Sequence, residues 1–174
     1  MSQERLEAYK ANQKIEIAKQ IKQTSNPFLF KLFLLVKLPM AFLAGVKVKT
    51  LNEDTCEITV PYCWLNQNPF RSTYFAVLAM AGEMSTGFFG MMYTINAKPS
   101  IAMLVTNLEA KFVKKATGLT TFRCEDGAKV RQAIEESVLT GEGREVTTKS
   151  VGYSESGEIE SEFIITWSFK ARIK

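Results

Sequence analysis

The sequence contains no histidine. Every nucleophile scheme built on a Ser-His or Cys-His pair is therefore excluded. Acid–base chemistry falls to carboxylates, lysines, tyrosines or polarised water. Cysteine is scarce as well: Cys56, Cys63 and Cys124 are the three in the chain. An odd, irregularly spaced set is no disulfide framework, and it points to a reducing compartment, hence a cytoplasmic protein. Without histidine or a CxxC pair, no structural zinc site can close, so neither metal nor cofactor is expected. Long basic runs are missing too. The net charge of +4 is too mild for a dedicated nucleic-acid binder but compatible with an anionic small ligand. The first 25 residues have no apolar h-region, so no signal peptide is expected.

What is present is 174 residues with ordinary apolar content, enough for one domain with a real core. Residues 2–24 read as an exposed helix with a weak apolar stripe of Leu6, Tyr9, Ile17 and Ile21. Asn26 is a good N-cap and Pro27 a good first residue for a second helix, which runs to about Pro39. From Val46 the period changes to two. Val46 and Val48, then Cys56, Ile58 and Val60, flank the turn Asn52-Glu53-Asp54 and predict a hairpin.

Between Arg71 and Lys98 the one charged residue is Glu83. Small residues recur along this run, from Ala76 through Gly82 and Gly87 to Gly90. A helix apolar on nearly all sides is buried, and we place it from about Ser72 to about Thr94. Its length would suit a bilayer, but a central carboxylate and strand-like flanks argue for a soluble core, so no transmembrane segment is expected. Past Pro99, Leu104, Leu108, Ala110 and Phe112 are expected on one strand face. Ala116-Thr117-Gly118 leads into Thr120, Phe122 and Cys124. A short helix with Val130, Ile134 and Val138 ends at Gly141. The clearest strand carries Phe163, Ile165, Trp167 and Phe169.

The expected fold is thus α+β: an antiparallel sheet wrapped around one long central helix, preceded by two N-terminal helices. We divide the chain into a helical extension over 1–45 and a main domain over 46–174. Every strand but the last reads as short or imperfectly alternating. Open edges then suggest a homodimer or a dimer of dimers.

At Asn68-Pro69-Phe70-Arg71-Ser72-Thr73-Tyr74-Phe75-Ala76 and on to Glu83, the chain resembles hotdog-fold acyl-CoA thioesterases of the phenylacetate-degradation type and their relatives with N-terminal helices. Asn68 and Glu83 match that family's Asn and acid. Tyr74 stands where its His would be, and Arg71 where its first Gly would be. The segment from Asn107 to Gly118 resembles a later strand and turn of the family. The resemblance implies thioester hydrolysis, with Glu83 as base or nucleophile aided by Asn68, and with backbone N–H groups around Tyr74, Phe75 and Ala76 polarising the carbonyl. Arg71, Ser72, Thr73, Met80, Gly87, Lys114 and Lys115 would complete the surface for an acyl-CoA or other acyl ligand.

Each residue also has a plainer role. Glu83 could be a buried structural acid, Asn68 a loop former, Ser72 and Thr73 helix caps, Tyr74 a core aromatic. The missing His-Gly pair favours a non-catalytic domain that binds a fatty-acyl or other apolar acid, with Arg71 as its clamp. The retained Asn68 and Glu83 favour the enzyme. A third reading is a dimer module resting on membrane through residues 27–45.

Overall fold

The computed structural model describes Ser2–Ile173. Helix α1 spans Ser2–Thr24, α2 Pro27–Lys37 and α3 Pro39–Leu43. Strands β1 (Lys47–Leu51) and β2 (Cys56–Pro61) form the hairpin, and the long helix α4 spans Phe75–Thr94. Strands β3 (Ile101–Phe112) and β4 (Leu119–Cys124) precede α5 (Gly127–Thr140), and β5 (Gly143–Tyr153) and β6 (Ile159–Ala171) end the chain. All pairings are antiparallel, in the order β1-β2-β4-β5-β6-β3. This is the expected hotdog arrangement, with α4 packed on the inner face of the sheet.

Local signals explain most boundaries. The Asn26 carboxamide accepts from the amides of Phe28 and Leu29, and Pro27 opens α2. Pro39 ends one helix and begins another, so a third short helix follows the two expected. Gly141 closes α5 at φ 80, a conformation that suits glycine. In β6, Phe163, Ile165, Trp167 and Phe169 all point into the core.

Several expectations need correction. Helix α4 begins at Phe75 rather than Ser72, and Tyr74 is its N-cap without a capping side chain. Strands β3 and β5, of 12 and 11 residues, are long rather than short. Leu104 does not share a face with Leu108, Ala110 and Phe112. The register slips between Val105 and Asn107, so Leu104 sits opposite Ser168 while Leu108 and Ala110 sit opposite the core residues Ile165 and Phe163. Helix α1 is not a loose appendage. Most of its residues are exposed, but Leu6, Tyr9 and Ile17 are buried against the domain. The Tyr9 hydroxyl donates to the Tyr93 carbonyl, and Arg5 donates to the carbonyls of Val138 and Leu139.

The small residues of α4 admit side chains rather than backbone. A Cβ on Gly82 would lie 2.8 Å from the Phe163 ring, and one on Gly90 would lie 2.6 Å from the end of Met103. Helix and sheet therefore mesh with aromatic rings filling the helix's gaps. Although α4 is long and apolar enough to cross a bilayer, it is the core helix of this fold.

Candidate functional site

Two places on the molecule gather the residues singled out above, and they are separate within one chain. The first is a groove of about 480 Å³ at the N-terminus of α4. Asn68, Ser72, Thr73, Tyr74 and Phe75 line one wall; Lys114 and Lys115 stand on the other. The turn before the helix is tied by Asn68. Its carboxamide oxygen accepts from the amides of Phe70 (2.9 Å) and Ser72 (3.3 Å), and its nitrogen lies 3.0 Å from the Ser72 hydroxyl. The side chains of Asn68 and Ser72 are thus committed to shaping the loop.

Arg71 adopts φ 58, the left-handed conformation that favours glycine. Glycine is the residue the resemblance places here, so the turn keeps its shape without it. The Arg71 side chain is exposed, has no ion pair among the described residues, and does not line the groove.

The helix start itself is open. Tyr74 offers no side-chain cap, and the first turn has no acidic residue. The amides of Phe75 and Ala76 have no partner among the described residues. Their partial positive charge faces the groove end of a 20-residue helix. Thr73 is buried, and its hydroxyl has no partner among the described residues. Tyr74 and Phe75 are exposed rather than core aromatics, and their rings meet edge-on at 4.8 Å. Phe75 continues through Phe112 to Phe163, so an aromatic chain links groove and core. Lys114 pairs with Glu158 at 2.6 Å, and Lys115 reaches the Phe70 carbonyl at 3.4 Å.

The second place is a stripe on α4. Ala76, Met80 and Glu83 are only partly covered, and Gly87 continues their face. The Glu83 carboxylate makes no ion pair or hydrogen bond among the described residues. Burial alone pushes its pKa upward. A Cβ on Gly87 would lie 3.1 Å from both Glu83 Oε1 and the Trp167 ring, so the glycine leaves room where the carboxylate and the indole converge. Glu83 stands eight positions beyond Phe75, about 12 Å along the axis.

Glu160 escaped the sequence reading. It is 4% exposed, accepts a 2.7 Å hydrogen bond from Thr120, and burial raises its pKa. Its carbonyl holds the amides of Val113 and Lys114, fixing the lysine wall of the groove. No motif marks it in the sequence. The cysteines are free, and burial raises the Cys124 thiol to about 12, far from a reactive thiolate. No cluster of metal-ligating side chains occurs among the described residues.

The profile of a family described as a domain of unknown function, DUF4442, matches residues 27–168. The chain belongs to the DUF4442 family. Among curated proteins none matches this DUF4442 chain in sequence. Solved structures do match in shape. A protein of unknown function from Chlorobaculum tepidum superposes with TM-score 0.68 at 15% identity, over 84% of this chain and 97% of that one. A Pseudomonas aeruginosa protein described as a probable thioesterase gives 0.68 at 17% identity, over 84% and 97%. A thioesterase from Haemophilus influenzae gives 0.57 at 12%, over 82% and 90%. At such identities the likeness establishes a shared fold: this DUF4442 chain has the hotdog architecture of thioesterase-like proteins.

Proposed function

We propose that this chain hydrolyses an acyl thioester, such as an acyl-CoA, in a site shared between two copies. The observation that carries the reading is Glu83: a desolvated carboxylate without a partner among the described residues, on the partly open face of an otherwise uncharged core helix. Burying such a group without compensation is costly, so its presence calls for a use.

The chemistry follows from two features. The open N-terminus of α4 presents the amides of Phe75 and Ala76 to a carbonyl oxygen, where negative charge develops during attack. Glu83, with its pKa raised by burial, is a stronger base than an ordinary carboxylate. Water adds to the carbonyl carbon as Glu83 takes its proton. The tetrahedral oxyanion rests on the helix amides. Its collapse breaks the C–S bond, the thiolate takes the proton, and a carboxylic acid and a thiol are released.

Within one chain these features are about 12 Å apart. A two-fold dimer that brings the Glu83 stripe of one copy to the groove of the other would unite them. Thr73 and Lys115 then contact the ligand beside the amides, and Met80 and Gly87 flank the acid. The exposed Arg71 would meet such a ligand only at its outer end.

A second reading is a binding domain without turnover. It is favoured by Phe75 and Ala76, whose side chains occupy positions where glycines would leave room. Thiol release measured across acyl-CoAs of varied chain length separates the two. The enzyme reading expects turnover that Glu83→Gln abolishes while ligand binding persists. Equal rates for Glu83→Gln and wild type would sink it. The binding reading expects no wild-type turnover, and a larger affinity loss for Lys115→Ala, on the groove wall, than for Glu83→Gln. Sharing of the site has its own test: mixing Glu83→Gln with a second inactive variant at Phe75 should restore about a quarter of wild-type activity, because half the dimers are mixed with one intact site each.

A further inference from the structure

From Ile17 to Asn52 the sequence has six lysines and no acidic residue. That segment includes α2 and α3, whose outer surface is apolar. Phe28, Leu32, Leu35 and Val36 recur at helical spacing on α2 and are all exposed, Phe28 by 74% and Val36 by 66%. The opposite face, Phe30 and Leu34, is already buried in the domain. An exposed apolar face of this kind usually meets a partner surface, yet this side of α2 has no cover among the described residues. Met40 and Leu43 extend the surface across α3. The turn after β2 adds Trp64, 80% exposed, held next to α3 by the hydrogen bond from Asn66 to the Ala44 carbonyl at 3.1 Å.

Charge selects the occupant. Lys19, Lys22, Lys31 and Lys37 are exposed, and none makes an ion pair among the described residues. A second copy docking here would bring lysines against lysines, with no acidic residue in the segment to neutralise them. Helix α2 also packs on β1, the sheet edge opposite β3, so this surface lies away from the edge that invites pairing. An anionic bilayer supplies both missing elements: negative headgroups for the lysines and an apolar boundary for the side chains between them. Tryptophan at the rim of such a surface is characteristic of side chains at the headgroup level.

We propose that the outer face of α2 and α3, together with Trp64, rests on the surface of an anionic lipid bilayer. The contact is peripheral, since α4 remains in the core.

The two tryptophans make the test direct. Trp167 is buried at 4% exposure, whereas Trp64 is open, so a change in emission on binding reports Trp64. The full-length protein is mixed with vesicles of equimolar phosphatidylglycerol and phosphatidylcholine, and with vesicles of phosphatidylcholine alone. The expected result is co-flotation with the anionic vesicles, a blue shift of emission, and weakening by salt. Phe28→Asp combined with Val36→Asp should lower vesicle affinity about tenfold or more. Both side chains are exposed, so circular dichroism and melting should match wild type. Two results would overturn the proposal. One is failure of the folded wild type to float with anionic vesicles, or flotation that the variant does not weaken. The other is self-association in lipid-free solution that shields Trp64 and is lost in the variant, which would assign the face to a second copy.

Discussion

Glu83 and Arg71 both hold positions that cost stability, and both costs can be measured. Burial raises the Glu83 pKa, so in the window between the ordinary carboxylate pKa and the raised value the folded state binds more protons than the unfolded chain. Stability from this group is therefore full at acid pH and declines as pH rises through that window. Glu83→Gln should remove the decline and melt higher than wild type at neutral pH, as a series of melting curves across the acid-to-neutral range would show. A variant that melts lower at neutral pH would mean that the ionised carboxylate has a favourable partner. Arg71 carries a different cost, a left-handed backbone with a β-carbon attached. Arg71→Gly is expected to stabilise the fold by about 1 kcal/mol in urea unfolding, since the exposed guanidinium makes no ion pair or hydrogen bond among the described residues to offset the strain.

At the scale of elements, α1 is the part whose role changes most between sequence and structure. Its stripe of Leu6, Tyr9 and Ile17 is legible as a weak helical period, but two glutamines, Gln13 and Gln20, complete it and are also buried. A stripe interrupted by polar residues reads as a solvated helix, which is why the packing did not show. The structure predicts that Tyr9→Phe loses about 1 kcal/mol, the worth of the bond to the Tyr93 carbonyl. Removing residues 2–24 should do more. It uncovers the face of α4 and α5 that α1 covers, and cooperative melting should be lost or shifted well downward. A truncated protein that melts like wild type would show that α1 is dispensable.

For the whole molecule, assembly decides whether the site is complete. Strand β3 pairs with β6 on one side, and its other edge has no neighbour among the described residues. It is 12 residues long and largely exposed, the kind of edge that proteins rarely leave uncovered. The partly open stripe of α4 that carries Glu83 gives a second reason for a partner, because the acid and the helix amides need one another. Light scattering at micromolar concentration should give twice the chain mass, and amide exchange in β3 should be slowed. A monomer would remove the shared site.

What the sequence determined alone was whatever depends on near neighbours. The alternation of Phe163, Ile165, Trp167 and Phe169, the Asn26-Pro27 helix start and the Gly141 stop are local, and each stands where the pattern placed it. The lone charge on α4 was visible for the same reason. Only the tertiary structure decided which surfaces lose their water. The slip near Thr106 turned Leu104 outward, because a strand's facing is set by its register with β6. The apolar residues of α2 are plain in the sequence, but not which of them would have a neighbour. The family resemblance placed Asn68 and Glu83 in one motif, yet a rigid helix rising about 1.5 Å per residue carries the acid two turns away from the groove.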